Sequence, residues 1–290
     1  MASIEQLTIL RQGASTWNSW RAGHPHESID LGRAVFRGAR LVGVNLQGAL
    51  LVEADLQGVD LSHANLAQAN LSGANLSEAQ CRGINLDQAL IVRANLRHSN
   101  LDDAQLWLGQ LANTNLQDAS LVGAKMANST LAKANLTNAS LNTADLSLAL
   151  LGEAILTDAN LARASLWKAN LQGAHLERAN FRCANLEKAN LSHCVLQGTN
   201  LARANLTHAS FFQAYLVAAD VAKTNFHQAI LIDTDLRGVN LQKVTGMSAE
   251  QLRVALTNET TQTPNQLAIT EKAWGMEIGG SDWTMPQLIG

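Results

Sequence analysis

From Leu31 to Leu241 every fifth residue is a large apolar side chain, without one insertion or deletion. Of these 43 positions 35 are Leu, the exceptions being Phe36, Cys81, Ile91, Met126, Phe181, Phe211, Val221 and Phe226. Two residues before each of the last 42 the side chain is almost always small, and 30 of those are Ala. A period of five fits neither an α-helix, which buries positions at 3.6-residue spacing, nor a continuous strand, which alternates every two. Within a unit such as Ala64-Asn65-Leu66-Ala67-Gln68, however, Ala and Leu stand two apart with a polar residue between them. That is one short stretch of strand pairing, with Ala and Leu inward and Asn outward. Two outward residues then follow in a row, so the chain must turn. Gly occupies ten of the second outward positions, Gly38, Gly48, Gly73, Gly123 and Gly198 among them, as a turn with unusual backbone angles favours. Stacked coils of such units bury a continuous Leu/Ala interior and pair their backbones with the coils above and below.

This register, carried by units such as Ala69-Asn70-Leu71-Ser72-Gly73, resembles the pentapeptide-repeat family over about three quarters of the chain. The resemblance implies an all-β fold, a right-handed quadrilateral β-helix with four units per coil, closed by short helical caps at both ends. The expected organisation is an N-terminal helical cap over 1–28, a solenoid of about 10.75 coils over 29–243, a capping helix over 244–257 and an irregular tail over 258–290. At about 4.8 Å between neighbouring strands, the rod is about 50 Å long.

Both ends leave the five-residue pattern. Ile4, Leu7 and Leu10 are three apart, followed by Ala14 and Trp17, a helical spacing in which Ser15 caps a helix bearing Trp17 and Trp20 over the first coil. Ser248-Ala249-Glu250-Gln251 matches a capping box that opens a helix with Leu252, Val254 and Leu256. Residues 257–266, rich in Thr, Asn and Gln, read as a linker. The segment beyond them, with Trp274, Trp283 and Met285, either wraps back on the rod or binds a partner.

Charged residues are 16% and aromatics 4% of the 290, as a thin rod filled by Leu and Ala requires. No run approaches the length of a membrane span, and the start lacks a secretory pattern, so a cytoplasmic location is expected. Cys81 and Cys194 take inward slots and Cys183 an outward turn, a spacing that argues against disulfides and zinc. The eight His are scattered over outward columns, apart from His24 and His26 in His24-Pro25-His26-Glu27, which lacks further ligands. No P-loop, dinucleotide fingerprint or nucleophile elbow occurs. A filled rod offers no convergent pocket, so neither catalysis nor a cofactor or metal is expected.

Members of the family that protect DNA gyrase do so by mimicking duplex DNA, which needs a strongly negative surface. Here the repeat region carries 17 acidic and 17 basic residues, so a DNA-mimic modulator of gyrase is the alternative rather than the leading reading. Arg163, Arg203, Lys223 and Lys243 fall in one column with Arg182 beside it, but Asp220 shares that face and direct nucleic-acid binding is not expected.

Outward positions should be polar, so apolar ones are informative. Trp107, Leu108, Leu148, Leu150 and Trp167 form the candidate partner-binding patch, near Leu50, Val52, Leu90 and Val92. Phe212, Ile230 and Ile232 form a second cluster suited to receive the C-terminal helix or tail, or to make a dimer contact. The tail with Trp274 and Trp283 is the other occupant open to the central patch. The expected function is therefore a non-catalytic scaffold, adaptor or regulator that presents rigid faces to another protein, or to its own copy in a homodimer. Resemblance to the plain, loop-free family type adds an expected cyanobacterial source.

Overall fold

A computed structural model describes residues 3–264 and Leu267. From Asp30 onward the chain forms coils in which outward positions bridge, in parallel, the residue 20 positions later, as in Asn65 to Asn85, Asn85 to Gln105 and Asn185 to Asn205. Four turns separate these partners, so each coil has four sides. Each side contributes a single bridging residue before the chain turns, which is why the sheets expected from the sequence appear as ladders of isolated bridges rather than as strands.

One unit shows how the backbone is satisfied. The Asn135 and Leu136 N–H groups donate to the coils on either side, at Thr114 O (2.9 Å) and Ile155 O (2.7 Å). Asn138 N–H donates to Thr157 O at 3.0 Å, and Ala139 N–H closes the turn onto Leu136 O at 3.0 Å. The remaining donor, Thr137 N–H, meets the Asn135 side chain, whose Oδ1 accepts it at 3.0 Å. Asn or Asp therefore recurs before Leu because it supplies the one acceptor the backbone lacks. The same amides also bond along the rod, as in Asn205 Nδ2 to Asn185 Oδ1 at 3.2 Å and Asn190 Nδ2 to Asn170 Oδ1 at 3.1 Å. The sequence reading treated these residues only as outward-facing.

The turn places its third residue in the left-handed region at every corner from Arg33 to Gly238, with φ between 53° and 72°. Only ten of these 42 corners are Gly. The left-handed corner is thus imposed by the ladder even where side chains oppose it.

The Leu column is buried throughout and the Ala column likewise apart from the partly buried Ala39, with Leu136 and Ala139 at 0% exposure. Most hydroxyls in the Ala column find a carbonyl, as Thr199 Oγ1 donates to Leu176 O at 2.8 Å and Thr224 Oγ1 to Leu201 O at 2.7 Å, whereas the buried Ser129 Oγ has no partner among the described residues. Cys81 and Cys194 lie in the core and Cys183 on the surface.

At the N-terminus α1 (Ile4–Leu10) and α2 (Ala14–Gly23) lie against the first coil. Gln6 Nε2 donates to Ser28 O at 2.8 Å while its Oε1 accepts from Asp30 N–H at 3.0 Å. Asn18 does the same one side away, accepting from Asn45 N–H at 2.8 Å and donating to Gly43 O at 3.0 Å. Trp17 is fully buried and its indole N–H donates to Asn45 O at 2.7 Å. Two details differ from expectation. The N-cap of α2 is Gly13, at φ 104°, so Ser15 lies inside the helix and caps nothing. Ile4 points to solvent at 82% exposure, because Gln6 rather than Ile4 is the residue turned to the coil edge.

At the other end α3 (Ala249–Arg253) opens with the capping box of Ser248 and Gln251. The coil then continues: Leu256 bridges Asp235 and Gln262 bridges Asn240, at offsets of 21 and 22 rather than 20. Residues 257–266, read as a linker, therefore include a pairing position, and Thr261 beside it is 5% exposed. Trp274, Trp283 and Met285 lie outside the described residues.

Candidate functional site

The bridge register assigns every outward residue to one of four faces. One ladder runs without interruption through Asp30, Leu50, Asn70, Leu90, Gln110, Thr130, Leu150, Asn170, Asn190, Ser210 and Ile230. Leu50, Leu90, Leu150 and Ile230 on it are 43–48% exposed. The turn leaving this face runs Gly32, Val52, Ser72, Val92, Ala112, Ala132, Gly152, Gln172, Ser192, Phe212 and Ile232 at its first position. Asp30 is the single charged residue in these two columns. Along these two columns the face is long, apolar in places and almost free of charge, with the charges of this corner, Arg33, Glu53, Arg93, Lys133, Glu153 and Asp233, at the second turn position on its rim.

Both sequence-derived patches border it. Trp107 (45% exposed), Leu108 and Leu148 stand on the corner entering the face. Leu148 N–H donates to Trp167 O at 2.8 Å, so Leu148, Leu150 and Trp167 occupy adjacent coils. Trp107 and Leu108 are separated from Leu148 by the coil carrying Ala127 and Asn128. Trp167 is half-buried, and the Lys168 ammonium lies 4.4 Å from its ring centroid, a cation–π contact that leaves a charge at this edge. Phe212, Ile230 and Ile232 stand together on the last coils, with the His193 and Phe212 ring centroids 5.4 Å apart and their planes near perpendicular. α3, one of the occupants open to them, bonds through Gln251 to Phe226 O and Ala229 O at the end of the rod, and Ile230 and Ile232 stay 47% and 46% exposed. The two clusters named separately from the sequence lie along one face, the first near its middle and the second at its C-terminal end.

Between them the missing side chains of Gly152 and Gly173 leave a shallow depression of about 390 Å³, also lined by Glu153, Asn170, Gln172 and His193. It carries no nucleophile–base pair. A second apolar run was not singled out from the sequence: Ile155, Tyr215 and Val217, about 40% exposed, lie on the next face with His175 and Val195 between. The signal was there, an apolar residue at an outward position, as at Leu150.

Among the described residues no group of three or more His, Cys, Asp or Glu is placed to hold a metal ion. His24 Nδ1 is within 2.8 Å of Trp20 O and its ring stacks on Trp20, so the His24–Glu27 stretch does not form a ligand cluster. Burial pushes the Cys81 and Cys194 thiols up to about 12, and Cys194 Sγ donates to Leu171 O at 2.9 Å. Among the described residues no helix is long and apolar enough to cross a membrane.

Among curated proteins no match was found. Among solved structures, HetL, a pentapeptide-repeat protein involved in heterocyst differentiation regulation from Nostoc sp. strain PCC 7120, is 32% identical over 75% of this chain and 94% of its own, at a TM-score of 0.45. The Cyanothece 51142 pentapeptide-repeat protein Rfr23 is 33% identical over 38% of this chain and 62% of its own, at 0.16. QnrB1, a plasmid-mediated fluoroquinolone resistance protein, is 17% identical over 77% and 89% of the two chains, at 0.29. The family model for pentapeptide repeats matches in eight copies, over residues 29–68, 54–91, 110–147, 154–192, 184–220 and 209–245. With more than half of its length matched in this way, and the same five-residue unit setting every corner of the rod, the chain belongs to the pentapeptide-repeat family.

Proposed function

We propose that this protein is a non-catalytic scaffold or regulator whose partner is another protein docking on the charge-poor face. Pentapeptide-repeat proteins are generally structural or interaction proteins, and no catalytic family is indicated. The observation that carries the reading is the single ladder holding Leu50, Leu90, Leu150 and Ile230 exposed, with Asp30 as its only charge. Depletion of charge with apolar anchors is the composition of an interface core. The rod is held by backbone pairing at every unit, so it loses little conformational entropy on docking. Trp107 and Leu108 supply a second anchor point along the same edge. Topoisomerase mimicry has less support, because acids on the rod pair in register with bases, as Asp158 with Arg178 at 2.6 Å, rather than forming a negative row.

The test is site-specific photocrosslinking in the native cell. A crosslinker at Leu150 should trap one discrete protein, a second copy of the chain being one outcome of its identification. A crosslinker at Ser140, on another face, should trap none. The Trp107→Asp/Leu148→Asp variant should abolish the Leu150 product without altering the circular dichroism of the rod. Equal products at both positions, or a product indifferent to the variant, would sink the reading.

A further inference from the structure

A second surface lies elsewhere on the rod and does not depend on the apolar face. Most charges that meet along the coils elsewhere alternate in sign, the stacked Lys168 and Lys188 being an exception. Arg33 Nε meets Glu53 at 2.8 Å, Lys133 meets Glu153 at 3.3 Å and Arg178 meets Asp158 at 2.6 Å, each pair separated by one coil. One corner departs from this alternation over five coils. Arg163 N–H donates to Arg182 O at 3.0 Å, Arg203 N–H donates to Ala222 O at 2.9 Å, and Lys223 N–H donates to Lys243 O at 3.0 Å. Five successive coils therefore carry one cation each, Arg163, Arg182, Arg203, Lys223 and Lys243, all exposed. Each of these five lacks an ion-pair partner among the described residues, unlike Arg178 or Lys133. In the two flanking outward columns Asp220 is the single acid over these coils, and its Oδ1 already accepts from Ala222 N–H at 3.0 Å.

Like charges stacked at about 4.8 Å lie well inside a Debye length of about 8 Å and repel one another. The row spans about 19 Å over its four intervals. An α-helix with acids recurring once per turn offers carboxylates about 5.4 Å apart, or about 22 Å over four turns. That mismatch of about 2 Å falls within the reach of long Arg and Lys side chains. Alternate residues of an extended strand would span about 27 Å and slip out of register. Duplex phosphates wind away from a straight line, and the net neutrality of the repeat region withholds the broad positive field that phosphate binding uses. We infer that this corner is a docking strip for an acidic α-helix of a partner protein, carrying a Glu/Asp stripe at i, i+3/i+4, i+7 spacing.

The experiment is fluorescence anisotropy with the full chain and a labelled alanine-based helix bearing five glutamates on one stripe. Its comparator has the same composition with the glutamates dispersed around the helix. The striped peptide should bind roughly tenfold more tightly than the dispersed one, and more weakly as salt rises. Arg203→Glu/Lys223→Glu should lower its affinity by roughly tenfold or more, whereas Arg93→Glu/Lys133→Glu, the same change of charge on the opposite corner, should not. Arg203→Gln/Lys223→Gln, which removes the cations without adding acids, should give an intermediate loss. Equal binding of the two peptides, an equal loss in the control variant, or tighter binding of a single-stranded oligonucleotide of matching charge would overturn the assignment.

Discussion

Gln251 closes the last coil at Phe226: its side-chain Nε2 donates to Phe226 O at 2.9 Å and, in the same fork, to Ala229 O at 2.8 Å. In earlier coils the carbonyl at the Ala229 position accepts from a backbone N–H 21 residues on, as Ala209 O does from Ile230 N–H at 2.9 Å. α3 interrupts that pairing, and the Gln251 amide stands in for the missing strand. Its Oε1 at the same time accepts from Ser248 N–H at 2.6 Å, completing the capping box. Gln251→Ala therefore removes three bonds and leaves a buried carbonyl unpartnered, at about 1–3 kcal/mol. The loss should be local. Hydrogen exchange should quicken at Thr245 and Leu256, which pair with the last coil, while the amides near Leu136 keep their protection. Equal quickening along the whole rod would contradict this.

The left-handed corners give a measurement of backbone strain alone. Gly48 sits at φ 69°, and a Cβ added there would meet nothing within 4 Å. Gly48→Ala thus isolates the conformational penalty, about 1–2 kcal/mol, offset by about 0.4–1 kcal/mol from the stiffer unfolded chain. The urea midpoint should fall slightly, and less for Gly48→Asn, since Asn tolerates this region. A rise in midpoint with Ala would mean that the corner does not hold its angle.

How much of this was legible follows from what a period can encode. The inward columns and the corner were readable because each rests on residue type at a fixed offset, as at Leu136 and Gly48, whereas the 20-residue bridge register came from the family resemblance, since a period of five does not say how many units close a coil. The partners of Asn were not, since Asn135 and a merely solvated polar residue look alike until the fifth N–H of the unit is counted. The coil beyond Lys243 was hidden because its offsets stretch to 21 and 22, which destroys the register that revealed the others. Gln6 was invisible for a different reason: its two backbone partners, Ser28 and Asp30, are more than 20 residues away. On the charge-poor face, Leu150 and Ile230 were visible singly, and only the continuous ladder joined them.

Asn185 tests the role that the sequence did not disclose. Its Oδ1 accepts from Glu187 N–H at 3.2 Å and from Asn205 Nδ2 at 3.2 Å. Asn185→Ala strands one donor of the turn and one of the ladder, an expected loss of about 1–2 kcal/mol. Asn185→Asp keeps the acceptor for both and should lose much less. The comparison is made by urea unfolding of the two variants. If Ala and Asp fall equally, the side chain matters for something other than its oxygen.

The three cysteines differ in reactivity for reasons set by their columns. Cys183 is exposed at a corner, whereas Cys81 and Cys194 are wholly inside the rod. Thiolate, not thiol, attacks an alkylating agent. Burial disfavours the thiolate, and both inward thiols are pushed up to about 12. Because the shift is upward, raising the pH from 7 towards 10 should leave these two protonated in the folded protein, and access is closed in any case. Iodoacetamide should therefore add once per chain, at Cys183, with further adducts only in denaturant. Peptide mapping by mass spectrometry reads the sites directly. Labelling of Cys81 at a rate comparable to Cys183 under native conditions would show that the coils open far more often than their unbroken backbone pairing allows.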